Sequence, residues 1–278
     1  MKNFKNRLGF SMIEVIFVII VLGIISSIGA EIIAKVYENY IVQRAQHRAS
    51  IKTQLALNQM VNRLKYAIPD TIVRRKSRNS DNENIDTLMS NDSQDYTVLQ
   101  WVGSDKESFN AISADNNRKP GWSAFCDLNA SDETHISTPG SNLALANTII
   151  KNLSNDVVDI EKSSIFFPND DNTSHAIDSA SGEMITLEDN ALRIAERYKL
   201  AWTSYALVVE EEELRLYYTF DPVVGVDIED DVPHQLLLKN VTTFKFEGRG
   251  STIRIKLCAK EKISENAYIS SCKEKAVF

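Results

Sequence analysis

Residues 9–30 read GFSMIEVIFVIIVLGIISSIGA, and Glu14 is the one charge among them. From Phe10 to Ala30, at about 1.5 Å per residue, a helix covers about 31 Å, the thickness of a bilayer's hydrocarbon core. A carboxylate at the midplane costs about 2.5–3.5 kcal/mol, and less near an end. Glu14 therefore needs a partner. On its amino-terminal side, MKNFKNRLG carries Lys2, Lys5 and Arg7 and no acid. The positive-inside rule keeps such an end in the cytoplasm and sends the remainder across the membrane.

The remainder has an ordinary globular composition. The chain has 278 residues, 25% charged and 43% hydrophobic, with a net charge of −7. Loss of the leader would leave 28 basic against 38 acidic side chains. An acidic exported body argues against broad nucleic-acid binding. Cys126, Cys258 and Cys272 allow one disulfide within the chain. Cys258 and Cys272, closest in sequence, are the favoured pair, and an oxidising compartment suits them.

A cleaved secretory signal has an apolar core of about 7–15 residues followed by an A-x-A-like site. Here the apolar run is longer, carries an acid, and ends SSIGAE with Ile28 where a small residue is wanted. A plain signal anchor accounts for length and orientation but gives Glu14 no role. The whole pattern, from basic leader through Gly9, Phe10 and Glu14 to Ala30, resembles the amino-terminal motif of type IV prepilins and pseudopilins. The usual form is G-F-T-L-I-E followed by an apolar stretch; Ser11 and Met12 are mild departures.

The resemblance implies that a prepilin peptidase cuts between Gly9 and Phe10 and methylates the new amino group. It also implies that the Glu14 carboxylate pairs with the Phe10 amine of a neighbouring subunit during assembly. An ion pair in low dielectric is strongly attractive, and losing one partner strands the other.

Beyond Ala30, residues 31–68 contain neither Gly nor Pro, and Pro69 closes the predicted helix. Ile33, Val36, Tyr37, Tyr40 and Ile41 form one stripe; Leu57, Met60, Val61, Leu64 and Ile68 form another. Residues 69–95 are polar and predict a loop, with Arg74, Arg75, Lys76 and Arg78 as a solvated basic cluster. Strand patterns follow at YTVLQWV (96–102), WSAFC (122–126), WTSYALVV (202–209), LRLYYTF (214–220), residues 236–258 around a turn at Glu247–Gly250, and AYISSC (267–272). SNLALANTIIKNL (141–153) reads as helix or mixed structure.

The expected fold class is α+β, a long amino-terminal helix packed on a globular head with antiparallel β-sheet. The expected division is a leader at 1–9, a transmembrane half-helix at 10–30, an exported half-helix at 31–68, and a head at 69–278. The WTSYALVV hairpin and the NVTTFKFEGRGSTIRIKL pattern look like the heads of larger minor pseudopilins, the J-type subunits of type II secretion, and of minor pilins.

Few residues promise chemistry. His47, His135, His175 and His234 stand apart from any metal-binding spacing, and no cofactor or metal site is expected. Ser270–Lys273 matches S-x-x-K, which works from a helix, whereas this stretch reads as strand. Asp227, Glu229, Asp230 and Asp231 read as a solvated turn in preference to a calcium loop. Asn129 and Asn172 sit in D-x-N-x-S/T sequences resembling bacterial N-glycosylation acceptors.

The resulting expectation is a non-enzymatic subunit, held in the inner membrane with a periplasmic head, that assembles into a pseudopilus or type IV pilus. Its partners would be other subunits, the prepilin peptidase and an inner-membrane assembly platform. The rivals are a signal-anchored periplasmic enzyme or binding protein, and a competence pilin touching DNA through Arg74–Arg78.

Overall fold

The computed structural model describes residues 11–85, 96–114, 118–168, 170, 173–191, 193–250 and 252–277. Gly9, Phe10 and Asn172 lie outside the described residues. The chain is α+β. Helix α1 runs Met12–Leu64, followed by β1 (Val73–Arg75), β2 (Glu83–Asn84) and β3 (Val98–Gly103). Next come α2 (Lys106–Asn110), β4 (His135–Ser137), α3 (Leu143–Ser154), β5 (Ser164–Phe166), β6 (His175–Ser181), β7 (Met184–Leu187) and β8 (Lys199–Ala201). The last strands are β9 (Thr203–Glu210), β10 (Glu213–Phe220), β11 (His234–Leu238), β12 (Val241–Arg249), β13 (Thr252–Lys262) and β14 (Tyr268–Val277).

Two compact units divide the chain, one formed by residues 1–48 with 261–269, the other by 49–260 with 270–278. Within the first, apolar side chains stand exposed on all sides of the helix from Met12 to Tyr40. Its most apolar window has a mean hydropathy of 2.6 and none of it is buried, so the helix is long and apolar enough to cross a membrane. Polar contacts begin where that stretch ends, with Glu31–Lys35 at 2.7 Å and Arg48–Glu261 at 3.8 Å.

The second unit holds two large cores. In the first, Leu57, Met60 and Leu64 project from one face of α1 at three- and four-residue spacing. They meet Leu99, Trp101, Leu207 and Leu216 from one sheet and Phe244, Ile255 and Leu257 from another. Leu57 and Met60 are fully buried, each contributing about 1.5–3 kcal/mol. The helix stops four residues earlier than Ile68: Ile68 N donates to Val102 O at 2.9 Å, so the chain has already turned into the sheet before Pro69.

The larger sheet has the order β11-β10-β9-β3-β1-β2, and β12-β13-β14 forms a separate one. Strands β3 and β9 are buried on both faces, because Leu99 and Leu207 face the helix while Val98, Ala206 and Val208 face a smaller cluster around Tyr217 and Ile228. That explains why both read as near-continuous apolar runs. The β9–β10 hairpin turns on Glu211 and Glu212, whose φ values of 50° and 61° are those of the two-residue turn that matches strand twist. Glutamate tolerates this region poorly. Glu211→Asn is therefore expected to raise the unfolding free energy by about 0.5–1 kcal/mol, read as a higher urea midpoint.

Strands β3 and β9 pair directly, from Val98↔Val208 to Gly103↔Thr203, although residues 104–202 lie between them. That insertion builds its own antiparallel sheet, β4-β7-β6-β5-β8. Its core joins Ile136, Ile165, Ile177, Ile185 and Leu200 to Leu143, Ala146 and Ile150 on one face of α3. Helix α3 is capped by Asn142, whose side chain accepts from Leu145 N, and ends at left-handed Asn155. The expected strand at 122–126 does not form. Phe125 makes a single bridge to Arg197, while Trp122 and Cys126 are core residues.

Candidate functional site

Ser11 begins α1: its carbonyl and its hydroxyl both accept from Glu14 N, at 3.1 and 3.3 Å. Ser11-Met12-Ile13-Glu14 is thus the S-x-x-E spacing of a capping box, and an acid in the first turn complements the helix dipole. That local role accounts for a carboxylate at a helix start in water. It does not account for one set among exposed Met12, Ile13 and Phe17 at the end of an apolar span. Among the described residues the Glu14 carboxylate has no hydrogen bond or ion pair.

The basic cluster is built differently from the solvated face its sequence suggests. Arg74 and Arg75 are buried in β1. Arg74 lies 4.3 Å from the Tyr96 ring centroid and pairs with Glu83 at 3.0 Å, and the Tyr96 hydroxyl donates to the same carboxylate at 2.7 Å. These two donors, Tyr96 first and Arg74 second, hold Glu83 below the usual carboxylate range.

Arg75 donates to the carbonyls of Ser80, Arg78 and Val226 at 2.8–2.9 Å and to Asp227 at 2.7 Å. Arg78 pairs with Glu210 at 3.1 Å and Asp230 at 2.8 Å. Two of the four acids read as a solvated turn are therefore held by two of the arginines. The three arginines are a buttress within the head, each paired with an acid, while Lys76 is exposed.

Cys258 and Cys272 form a disulfide between adjacent strands β13 and β14, with a Cα–Cα distance of 4.0 Å. Cys126 is free and buried; burial pushes its thiol pKa up. Asn129 is exposed on a tight turn in which Ala130 N donates to Asp127 O at 3.2 Å. The hydroxyl of Ser131, however, donates to Asp127 O at 2.6 Å and accepts from Ser137 N at 2.9 Å, so the acceptor sequence is tied into the fold. Ser270 and Lys273 lie on strand β14, where residues three apart face opposite sides of the sheet, so the S-x-x-K pair does not form.

His175 is buried against Asp170 at 2.6 Å, His135 pairs with exposed Asp132 at 3.1 Å, and His47 and His234 are exposed. Among the described residues no three His, Cys, Asp or Glu side chains gather as a metal site.

Sequence reasoning missed a further group of residues. Gln59, Asn62 and Arg63 on the last turns of α1, with Tyr66 just beyond its end, open onto a cleft of about 630 Å³ with Lys106 and Tyr205. Their spacing was legible, but a polar stripe on a helix end reads as solvent-facing.

Comparison with protein-family models, curated proteins and solved structures found no match. Function here rests on the chain's own residues.

Proposed function

We propose that this chain is a prepilin-type structural subunit, a minor pilin or pseudopilin. It would be held in the inner membrane by α1, trimmed at Gly9, and inserted into a filament through its helix. The observation that carries the reading is Glu14: a carboxylate with no partner among the described residues, the one charge in an exposed apolar stretch that runs to Ala30, preceded in sequence by Gly9 and Phe10 and a basic leader. In this reading the α-amine exposed at Phe10 supplies the missing counter-charge from a neighbouring protomer, and the pair sets the register between helices. The rest of the helix surface from Ile13 to Tyr40 supplies apolar contact area, first to lipid and then to neighbouring helices. A β-rich head of this size fits a minor subunit near the filament tip or one that starts assembly.

Two measurements test the proposal in cells that carry a prepilin peptidase. Mass spectrometry of the mature protein is expected to find an N-methylated Phe10 at the amino terminus. An intact Met1 would instead favour an anchored periplasmic protein. Glu14→Ala is then expected to be processed and stable in the membrane but to drop out of sheared filaments. Incorporation equal to wild type would remove the basis of the reading.

A further inference from the structure

The cleft beside the end of α1 is distinguished by its charge. Arg63, Lys65 and Lys106 line it with a single acid, Glu107. Among the described residues none of the three cations forms an ion pair. Elsewhere in the same unit, Arg74, Arg75, Arg78, Lys119 and Arg215 each hold a carboxylate at 2.6–3.1 Å. In a chain of net charge −7, three unneutralised cations around one concavity form a local positive field.

What they do contact is aromatic. Arg63 lies 5.3 Å from the Tyr205 ring centroid, and Lys65 and Lys106 lie 5.9 and 3.9 Å from that of Tyr66. The ring of Tyr205 is fixed in turn: it stacks on Trp101 at 5.8 Å and crosses Gly103 so closely that a Cβ there would sit 2.5 Å from a ring carbon. The cleft floor is thus built, and Gly103 is the residue that permits it.

The remaining lining is chosen for a different kind of bond. Gln59 and Asn62 from α1 and Gln235 from β11 bring side-chain amides, each able to donate and accept. Strand β11 is the outermost of its sheet, with His234, Gln235 and Leu236 exposed. Its outer edge offers main-chain groups to an extended segment. A volume of about 630 Å³ is within the range of ordinary ligand pockets.

We infer that this cleft binds an extended acidic peptide segment of a partner protein. Its carboxylates would lie among Arg63, Lys65 and Lys106, and its backbone amides against Gln59, Asn62 and Gln235. Peptide is favoured over nucleic acid because the side-chain amides of the lining and the edge of an outermost strand match a peptide backbone. The inference is independent of whether α1 enters a filament.

The test uses the full chain in detergent micelles and a fluorescent tetrapeptide of alternating Asp and Glu, read by anisotropy. Saturable binding that weakens as salt is raised is expected. Lys65→Gln and Arg63→Gln should each weaken it by about tenfold or more, while Lys76→Gln, outside the cleft, should not change it. Because Arg63 also supports Tyr205, thermal unfolding of each variant is followed in parallel. Lys65, exposed and away from that ring, keeps the test decisive if Arg63→Gln is unstable. Absence of saturable binding would overturn the inference, as would equal binding by both variants. Displacement by inorganic phosphate or a thymidine oligonucleotide more readily than by unlabelled peptide would overturn it too.

Discussion

Arg75→Met is expected to remove about 2–4 kcal/mol of folding stability, because several hydrogen bonds of a buried guanidinium are lost while its half-exposed acid partner, Asp227, is left to solvent. The side chain is only 4% exposed and its guanidinium ties three parts of the head together. It closes the turn at Arg78 and Ser80, reaches Gln100 on β3 at 3.4 Å, and anchors Val226 and Asp227 from a distant loop. Methionine fills comparable volume but takes away the side-chain donor that Arg75 gives to the Ser80 and Arg78 carbonyls, while Gln100 Nε2 still donates to Val226 O at 2.9 Å. An unmade buried hydrogen bond costs about 1–3 kcal/mol. A domain stable by about 5–15 kcal/mol does not absorb such a loss easily. Urea unfolding of the full chain in mild detergent measures it. Lys76→Ala, exposed in the same run of sequence, should stay within about 0.5 kcal/mol of wild type. A loss below about 1 kcal/mol for Arg75→Met would mean that the 226–230 loop holds itself in place.

The second large effect concerns pH. Asp105 caps α2 by accepting from Ser108 N at 3.1 Å, yet it is almost wholly buried and its Oδ2 accepts no hydrogen bond among the described residues. Burial pushes its pKa up to about 6 against the hydrogen bonds from Ser108, and the nearby Glu107 charge pushes the same way. The folded state therefore binds this proton more tightly than the unfolded chain does. Its contribution is fully present below the unfolded value near 4, is lost as pH rises through about 6, and is absent at neutral pH.

Asp105→Asn keeps the cap acceptor and removes the charge. The variant is expected to be more stable than wild type by up to about 3 kcal/mol at neutral pH, with the difference vanishing near pH 4. Glu83, Asp132, Glu183 and Glu213 have lowered pKa values and act in the opposite sense, so only the difference between the two proteins isolates Asp105. A constant difference across pH 4–8 would show that Asp105 is not the titrating group.

Much of the architecture was legible because its signals are local. Apolar length, the Leu57–Met60–Leu64 spacing, and the WTSYALVV and LRLYYTF alternation each lie within a few turns or one strand. The arginine buttress was illegible for the converse reason. Asp227 is separated from Arg75 by 152 positions, and nothing in either segment names the other. WSAFC misled because an aromatic-rich pentapeptide is equally at home in a core loop; Trp122 donates its indole N–H to Asp105 O at 2.8 Å and needs no ladder. Residues 236–258 conceal a change of sheet, since β11 joins β10 whereas β12 joins β13. The capping spacing of Glu14 and the stripe at Gln59, Asn62 and Arg63 were in plain view, but periodicity alone assigns them to solvent.

The pairing of Gly103 with Thr203 places the entrance and exit of residues 104–202 one strand spacing apart, about 5 Å. Zipping two central strands through a long slack tether is entropically expensive, with a penalty growing as about 1.5RT times the logarithm of tether length. Collapse of the inserted module shortens that tether before the strands meet. Topology therefore favours an order in which the inserted module around α3 consolidates before β3 and β9 pair beneath α1, an order that hydrogen-exchange pulse labelling during refolding would read directly.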